Sequence, residues 1–260
     1  MIEIENKTAF EIVKAARSQE KVTAHELITG LFTDFFEIHG DRRYADDLAI
    51  IGGLATFEGQ PVTVIATDKG TTPSEKQARH FGCPTPAGYH KALRLMQQAE
   101  KFQRPVIIFI NTPGAYPGQE AEEKGQGLAL ATELLELSTL AVPIITIIYG
   151  EGGSGGALAL ACGDRVWMLE NSIYSVLSPE GFATILWKDV KKVAQASEAM
   201  KLTPVELYKQ GVIDGIIPEN EHRESLYQAI SATLSQEINN LKEMNKSELI
   251  AKRKARFRKF

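Results

Sequence analysis

The sequence predicts an α/β fold in which a parallel sheet lies buried between helices. Two observations carry this. The runs Val106–Ile110 and Ile144–Tyr149 lack the polar–apolar alternation of a half-exposed strand, as expected when both faces are covered. Helical apolar spacing separates them, and strands alternating with helices at this interval favour parallel pairing through right-handed crossovers.

Taken in order, Thr8-x-x-Glu11 and Thr23-x-x-Glu26 are capping boxes that open a helical N-terminal region through about His39. Leu27, Leu31, Phe35 and Ile38 form its apolar stripe. Ile50–Phe57 and Val62–Thr67 read as strands joined by a tight turn, Glu58-Gly59-Gln60-Pro61. A Gly/Pro/Thr-rich loop (Lys69–Gly88) precedes a helix with Ala92, Leu95, Met96, Ala99 and Phe102 on one face. After the strand that follows Pro105, the loop Asn111–Gly118 leads into a helix, Gln126–Leu140. The strand Pro143–Tyr149 ends at Gly150, Gly155–Ala161 is a helix, and Arg165–Leu169 and Ile173–Leu177 are short strands. From Pro179 onward the pattern is helical, with a third capping box at Thr203-Pro204-x-Glu206. The charged tail Lys252–Lys259 reads as a solvated helix end. With no repeats or flexible linker, a single domain over residues 1–260 is expected: helical over 1–39, an α/β core over 40–188, helical again over 189–260.

Composition narrows the function classes. The chain has 260 residues, 43% hydrophobic and 24% charged, which excludes disordered, collagen-like and small disulfide-stapled proteins. Its net charge of −4 gives the whole molecule no electrostatic reason to seek nucleic acid. Cys83 and Cys162 stand alone, with no Cys/His cluster that would bind zinc. The start, MIEIENKTAF, is acidic and polar, unlike a secretory leader. No apolar run approaches the roughly 18–20 residues of a membrane-spanning helix. A reduced, cytoplasmic protein without a metal is expected.

The densest signal is Gly150-Glu-Gly-Gly-Ser-Gly-Gly-Ala157, between a buried strand and an apolar helix. The free N–H groups of Gly155, Gly156 and Ala157 at the helix start can converge on a phosphate, a carboxylate or a developing oxyanion. Tight strand–helix packing is the plainer explanation, but five glycines in seven positions exceed what packing needs. Three chemistries compete. Gly150-x-Gly-x-x-Gly155 fits the dinucleotide fingerprint, yet Ile173-Tyr-Ser-Val stands where its acidic residue belongs. Gly152-x-Ser154-x-Gly156 fits a nucleophile elbow, but the only later histidine is His222, in a polar run. The third chemistry is an oxyanion hole without a side-chain nucleophile.

Five strings carry a resemblance to the α subunits of bacterial acetyl-CoA carboxylase carboxyltransferases, members of the crotonase-like superfamily. They are Gly40-Asp-Arg-Arg-Tyr-Ala-Asp-Asp47, His80–Met96 (HFGCPTPAGYHKALRLM), Asn111-Thr-Pro-Gly-Ala-Tyr-Pro-Gly118, Gly150–Ala157 and Ser178–Lys188 (SPEGFATILWK). The resemblance runs from about Thr23 to Pro218. It implies a crotonase-like spiral of ββα units over 40–188 and transfer of a carboxyl group from carboxybiotin to acetyl-CoA, giving malonyl-CoA, the committed step of fatty acid biosynthesis. Gly155 and Gly156 would then be the backbone hole for the biotin ureido oxygen, with Gly152, Gly153 and Ala157 as substrate-binding candidates beside them. Gly114 and Ala115 join these because the loop Asn111–Gly118 follows a buried strand and α/β sites gather at strand carboxyl ends, the alternative for that loop being a rigid turn set by Pro113 and Pro117.

The second hole, for the acetyl-CoA enolate, would lie on a β subunit in an α2β2 core. Biotin would be carried on a biotin carboxyl carrier protein, and ATP would be used by a biotin carboxylase. A crotonase hydratase would need two glutamates. Glu180 falls where one lies, but Leu158 occupies the other place. Lys69, Lys76, Arg79 and Lys91 are candidates for CoA phosphates or the carboxylate, and Trp167 and Trp187 read as core or interface aromatics. A stand-alone acyl-CoA enzyme, a serine hydrolase and a non-catalytic scaffold are the rival classes.

Overall fold

The computed structural model describes residues 7–219 and 222–260. Two short helices come first, α1 (Ala9–Ala16) and α2 (Ala24–Leu31), and both expected capping boxes form at Thr8 and Thr23. The chain then departs from the helical reading to His39. Phe32 is already extended, and Thr33–Glu37 form strand β1, antiparallel to β2 (Ile50–Phe57). Phe35 and Ile38 therefore do not continue a helical stripe. Thr33, Phe35 and Phe36 are strand-favouring residues, and the free edge of β2 offers them hydrogen bonds that a helix end could not.

Strand β3 (Gln60–Thr67) pairs with β2 through a turn of two residues, Glu58 and Gly59, both at positive φ (47° and 78°). That is the twist-matched hairpin turn, narrower than the four residues expected. Within the loop that follows lies helix α3 (Pro73–Ala78), opened by an unanticipated capping box between Thr72 and Glu75. A left-handed 3-10 turn, His80–Gly82, precedes α4 (Pro86–Lys101).

Strand β4 (Val106–Thr112) and helices α5 (Gln119–Glu123) and α6 (Gln126–Leu137) come next. The last of these stops three residues before the expected Leu140, where the Ser138 and Thr139 hydroxyls donate back to the Leu135 and Glu136 carbonyls. Strand β5 runs from Ile144 to Gly153, beyond its expected end at Gly150, because Glu151–Gly153 pair with β7 (Ile173–Ser175). Between them lie α7 (Ser154–Ala161) and β6 (Arg165–Leu169).

Helices α8 (Pro179–Trp187), α9 (Val193–Met200) and α10 (Pro204–Lys209) follow, and then β8 (Gly215–Ile217), a strand inside the stretch read as helical. Thr203 makes no side-chain cap, and Glu206 pairs with Lys209 instead of closing the third box. Helices α11 (Arg223–Lys242) and α12 (Lys246–Phe257) end the chain.

The described strands form one sheet in the order β1-β2-β3-β4-β5-β6-β8, with β7 beside the end of β5. Pairing is antiparallel through β3 and parallel from β3 to β8, as the apolar runs predict. Alternate residues of β4 and β5 feed two cores. Ile107, Phe109, Ile145, Ile147 and Tyr149 pack toward α2 and α11. Ile108, Ile110, Ile144 and Ile148 pack toward α4, α6 and α7. Each such side chain contributes about 1.5–3 kcal/mol by leaving water, so β5 is held rigidly from both sides up to the glycines.

The basic tail corrects the solvated reading at two positions. Arg253 is 1% exposed; its guanidinium donates to both Asp164 oxygens (2.9 and 2.7 Å) and to the carbonyls of Leu137, Leu140 and Val142. Arg256 is bound to Asp214 at 2.6 Å. Lys252, Arg258 and Lys259 are exposed.

Candidate active site

The glycines of β5 and α7 are explained first by what surrounds them. A Cβ on Gly150 would lie 2.5 Å from the Asn111 side chain, and one on Gly152 2.9 Å from the Tyr174 ring. On Gly153 it would meet the Pro113 carbonyl oxygen at 2.0 Å, and on Gly156 the Ala115 nitrogen at 2.3 Å and the Tyr89 hydroxyl at 2.6 Å. Packing therefore accounts for these four, contrary to the expectation that the cluster exceeds its needs. Gly155 differs: the nearest neighbour to its Cβ position is Leu130 Cδ1 at 3.9 Å, an ordinary van der Waals contact that a side chain there would not strain.

The loop Asn111–Gly118 presses on this turn. Thr112 Oγ1 donates to the Gly114 carbonyl (2.9 Å) and accepts from the Gly114 N–H (3.1 Å), and Gly114 sits at φ +146°, beside Ser154. Gly114 and Ala115 thus lie directly against Gly156 and Ser154, next to Gly153, as one compact turn. Gly153 is the N-cap of α7, and no side chain caps that helix. Its first-turn N–H groups keep the partial positive charge of a helix start. Gly155 is half-buried at the surface of this turn, while Gly156 and Ala157 are buried beneath it.

A cleft of about 330 Å³ opens beside the turn, walled by Pro113, Gly152, Gly153, Ser154, Ser175 and Pro179, with Arg17 and Glu151 as its charged members. Sequence reasoning did not anticipate the charge network here. Arg17, the C-cap of α1, donates from Nε to Glu151 (2.7 Å) and from its terminal nitrogens to Glu180 (2.7 and 3.4 Å). Lys69 pairs with the other Glu151 oxygen, and the Glu151 N–H donates to Asn111 Oδ1 at 2.9 Å.

Burial alone would raise the Glu151 pKa, but the Lys69 and Arg17 charges and their hydrogen bonds outweigh it and hold the carboxyl below its ordinary range. Glu180 behaves likewise, with Arg17 overcoming its desolvation. The one legible signal was Glu151 itself: a carboxylate inside an otherwise apolar and glycine strand must find a cation.

Ser154 stands at φ +55°, the strained strand-to-helix geometry of a nucleophile elbow. The histidines are engaged elsewhere. His39 binds Asp46 at 3.0 Å, His25 lies 3.9 Å from Asp68, His80 stacks on Tyr116, His90 meets Arg43, and His222 starts α11. Residues 220 and 221 of the polar run before it lie outside the described residues. None of the cleft-lining residues is a histidine. Burial pushes the Cys83 thiol up and Cys162 to about 12, so neither is an activated nucleophile.

Of the basic candidates, Lys69 is spent on Glu151 and Arg79 on Asp68. Lys91 is fully buried, on Asp46 and the Ile50 carbonyl. The Trp167 ring packs over Gly215, and Phe182 meets Trp187 edge-on at 5.5 Å. Among the described residues, no group of three His, Cys, Asp or Glu side chains converges as a metal site, and no helix is long and apolar enough to cross a membrane.

The family model described as acetyl co-enzyme A carboxylase carboxyltransferase-like matches residues 3–260. The chain belongs to that family. A carboxyltransferase of this family from Streptococcus pyogenes serotype M12, named acetyl-coenzyme A carboxylase carboxyl transferase subunit alpha, is 56% identical over 250 residues, covering 96% of this chain and 98% of its own. The protein of the same name from Streptococcus equi subsp. zooepidemicus is also 56% identical over 250 residues.

Solved carboxyltransferases share the fold at low identity. A transcarboxylase 12S structure matches 89% of this chain with a TM-score of 0.71 at 19% identity. The β subunit of Pseudomonas aeruginosa geranyl-CoA carboxylase matches 90% with a TM-score of 0.66 at 16% identity. This carboxyltransferase-family chain covers 44% and 46% of those two chains, under half of each. The fold is the crotonase-like α/β architecture of these carboxyltransferases.

Proposed function

We propose that this chain is the α subunit of an acetyl-CoA carboxylase carboxyltransferase, moving a carboxyl group from carboxybiotin to acetyl-CoA to form malonyl-CoA. The observation that carries the reading is the α7 N-terminus, uncapped by any side chain, whose N-cap Gly153 and first residue Ser154 line the cleft directly before Gly155. Developing negative charge on an oxygen placed there meets the N–H groups of Gly155 and Gly156 and the helix dipole. Losing one such donor typically costs roughly 2.7–4 kcal/mol. Biotin, when bound, supplies the nitrogen that gives up the carboxyl group and takes a proton in exchange. The absence of histidine from the cleft wall supports this role for the backbone, since no side-chain base is then required.

One hole serves one oxyanion, so the acetyl-CoA enolate needs another, supplied by a β subunit in an α2β2 core. The carrier protein bearing biotin and an ATP-consuming biotin carboxylase complete the partner set, and the cytoplasm is the compartment. Gly152 and Gly153 of the cleft wall, and Gly114 and Ala115 packed behind them, hold the turn in place rather than bind substrate through side chains. Ala157 continues the helix beneath.

The test is reconstitution. Purified chain plus its β partner forms malonyl-CoA from carboxybiotin and acetyl-CoA, and the chain alone does not. Steady malonyl-CoA formation by the rigorously partner-free chain would overturn the half-site reading.

A further inference from the structure

We propose that Arg17 is the residue of this chain that receives a substrate carboxylate in the cleft, exchanging Glu180 for it while staying anchored on Glu151. This rests on the carboxyltransferase reading and deepens it, because of the two CoA esters in that reaction malonyl-CoA carries a carboxylate and acetyl-CoA carries none.

The base of Arg17 is fixed. Ile12, Val13 and Ala16 of α1 pack on Ile173 and Leu202, and the Ala9 N–H donates to Glu198 at 2.8 Å. The two ion pairs of the guanidinium are unequal. The Glu151 side chain is 10% exposed and shares a second cation, Lys69. The Glu180 side chain is 41% exposed and stands in the first turn of α8, free to swing outward without moving backbone. Arg17 and Lys69 against Glu151 and Glu180 sum to zero charge. Moving Glu180 aside leaves one net positive charge at the cleft wall, on a planar fork that matches a carboxylate through two parallel N–H bonds.

Of the three lining hydroxyls, Ser154 is neutral and carries no charge to pair with a carboxylate, and the other two are engaged. Ser175 donates to the Leu177 carbonyl, and Ser178 caps α8. Arg17 is the cation among the residues lining the cleft.

The experiment uses the assembled α–β complex run in reverse, with malonyl-CoA and free biotin, reading KM for malonyl-CoA and the inhibition constant of acetyl-CoA. Arg17→Gln is expected to raise the malonyl-CoA KM about tenfold or more, the loss of a charge-assisted hydrogen bond. Acetyl-CoA inhibition should stay within about twofold, because acetyl-CoA lacks the carboxylate; Arg17→Lys should recover part of the loss. Glu180→Gln removes the competing carboxylate and should lower the malonyl-CoA KM, an arm that stands even if Arg17→Gln misfolds. An unchanged KM in Arg17→Gln, an equal loss of acetyl-CoA and malonyl-CoA binding, or a raised KM in Glu180→Gln overturns the proposal. Wild-type complex that consumes no malonyl-CoA overturns the carboxyltransferase reading itself and this proposal with it.

Discussion

Ser154 and Gly155 are neighbours with opposite roles. Ser154 holds a positive φ beside Gly114, and its hydroxyl faces a cleft wall without histidine. Ser154→Ala keeps the backbone, so transfer should fall by less than about tenfold, one neutral hydrogen bond at about 0.5–1.5 kcal/mol. A fluorophosphonate probe should leave the wild-type serine unlabelled. Labelling together with collapse of turnover in the alanine variant would establish a serine hydrolase instead. Gly156 is a poor place to test the hole, since a side chain there collides with Ala115 backbone 2.3 Å from its Cβ. Gly155→Val is the informative change. With its Cβ at ordinary contact distance from Leu130 it should fold and assemble with a melting temperature near wild type, yet lose transfer by about 100-fold as the branched side chain obstructs the ligand oxygen. Near-normal transfer in that well-folded complex would remove the α7 terminus from the mechanism.

Among the elements, α12 is docked most deeply by one side chain, with Leu249 in the core and Arg256 on Asp214 beside it. Arg253 plugs the carbonyl ends left by α6 and the loop after it, and neutralises Asp164, which also accepts from the Ile144 N–H at the start of β5. The helix thereby fastens the root of the strand that ends at the glycines. Arg253→Met strands a buried carboxylate and should cost about 3–5 kcal/mol in urea unfolding. A loss under about 1 kcal/mol would mean the pair is replaceable. The elements also mark how far local pattern reaches. The boxes at Thr8 and Thr23 form as written, whereas the one at Thr203 does not. The stripe through Phe35 and Ile38 is legible as apolar, but five residues cannot distinguish helix from strand until β2 is present to pair with them.

At the scale of the whole molecule, two carboxyls contribute to opposite limbs of the stability–pH curve. Asp46, bound by Lys91 and the Gly40 N–H, is lowered from 3.8 to about 2. Its stabilisation is present above pH 3.8 and is lost as pH falls through about 2. Glu133 on α6 is fully buried, neither oxygen has a hydrogen-bond partner, and burial raises its pKa well above 4.5. The folded chain keeps this proton where the unfolded chain has released it, so stability declines as pH rises above about 4.5. Glu133→Gln removes that contribution and should raise the melting temperature more at pH 8 than at pH 5, while Asp46→Asn should reduce the acid limb without changing the alkaline one. An equal effect of Glu133→Gln at both pH values would show that Glu133 does not stay protonated.

The sequence by itself determined the buried parallel strands, the position of the glycine turn and, through its longer strings, the family. Each of these is written in neighbouring residues: unbroken apolar runs, glycines in succession, ordered motifs. Only the tertiary structure decided why four of the five glycines are glycine, that Arg253 is buried, and which charges wall the cleft. Arg17 is 134 residues from Glu151 and 163 from Glu180, and Arg253 is 89 from Asp164. No local period links partners so distant; the pairs form because crossover connections bring separate elements together at the two ends of β5, the Arg17 pairs at its C-terminal end and the Arg253 pair at its root, where a buried charge must be met by its opposite.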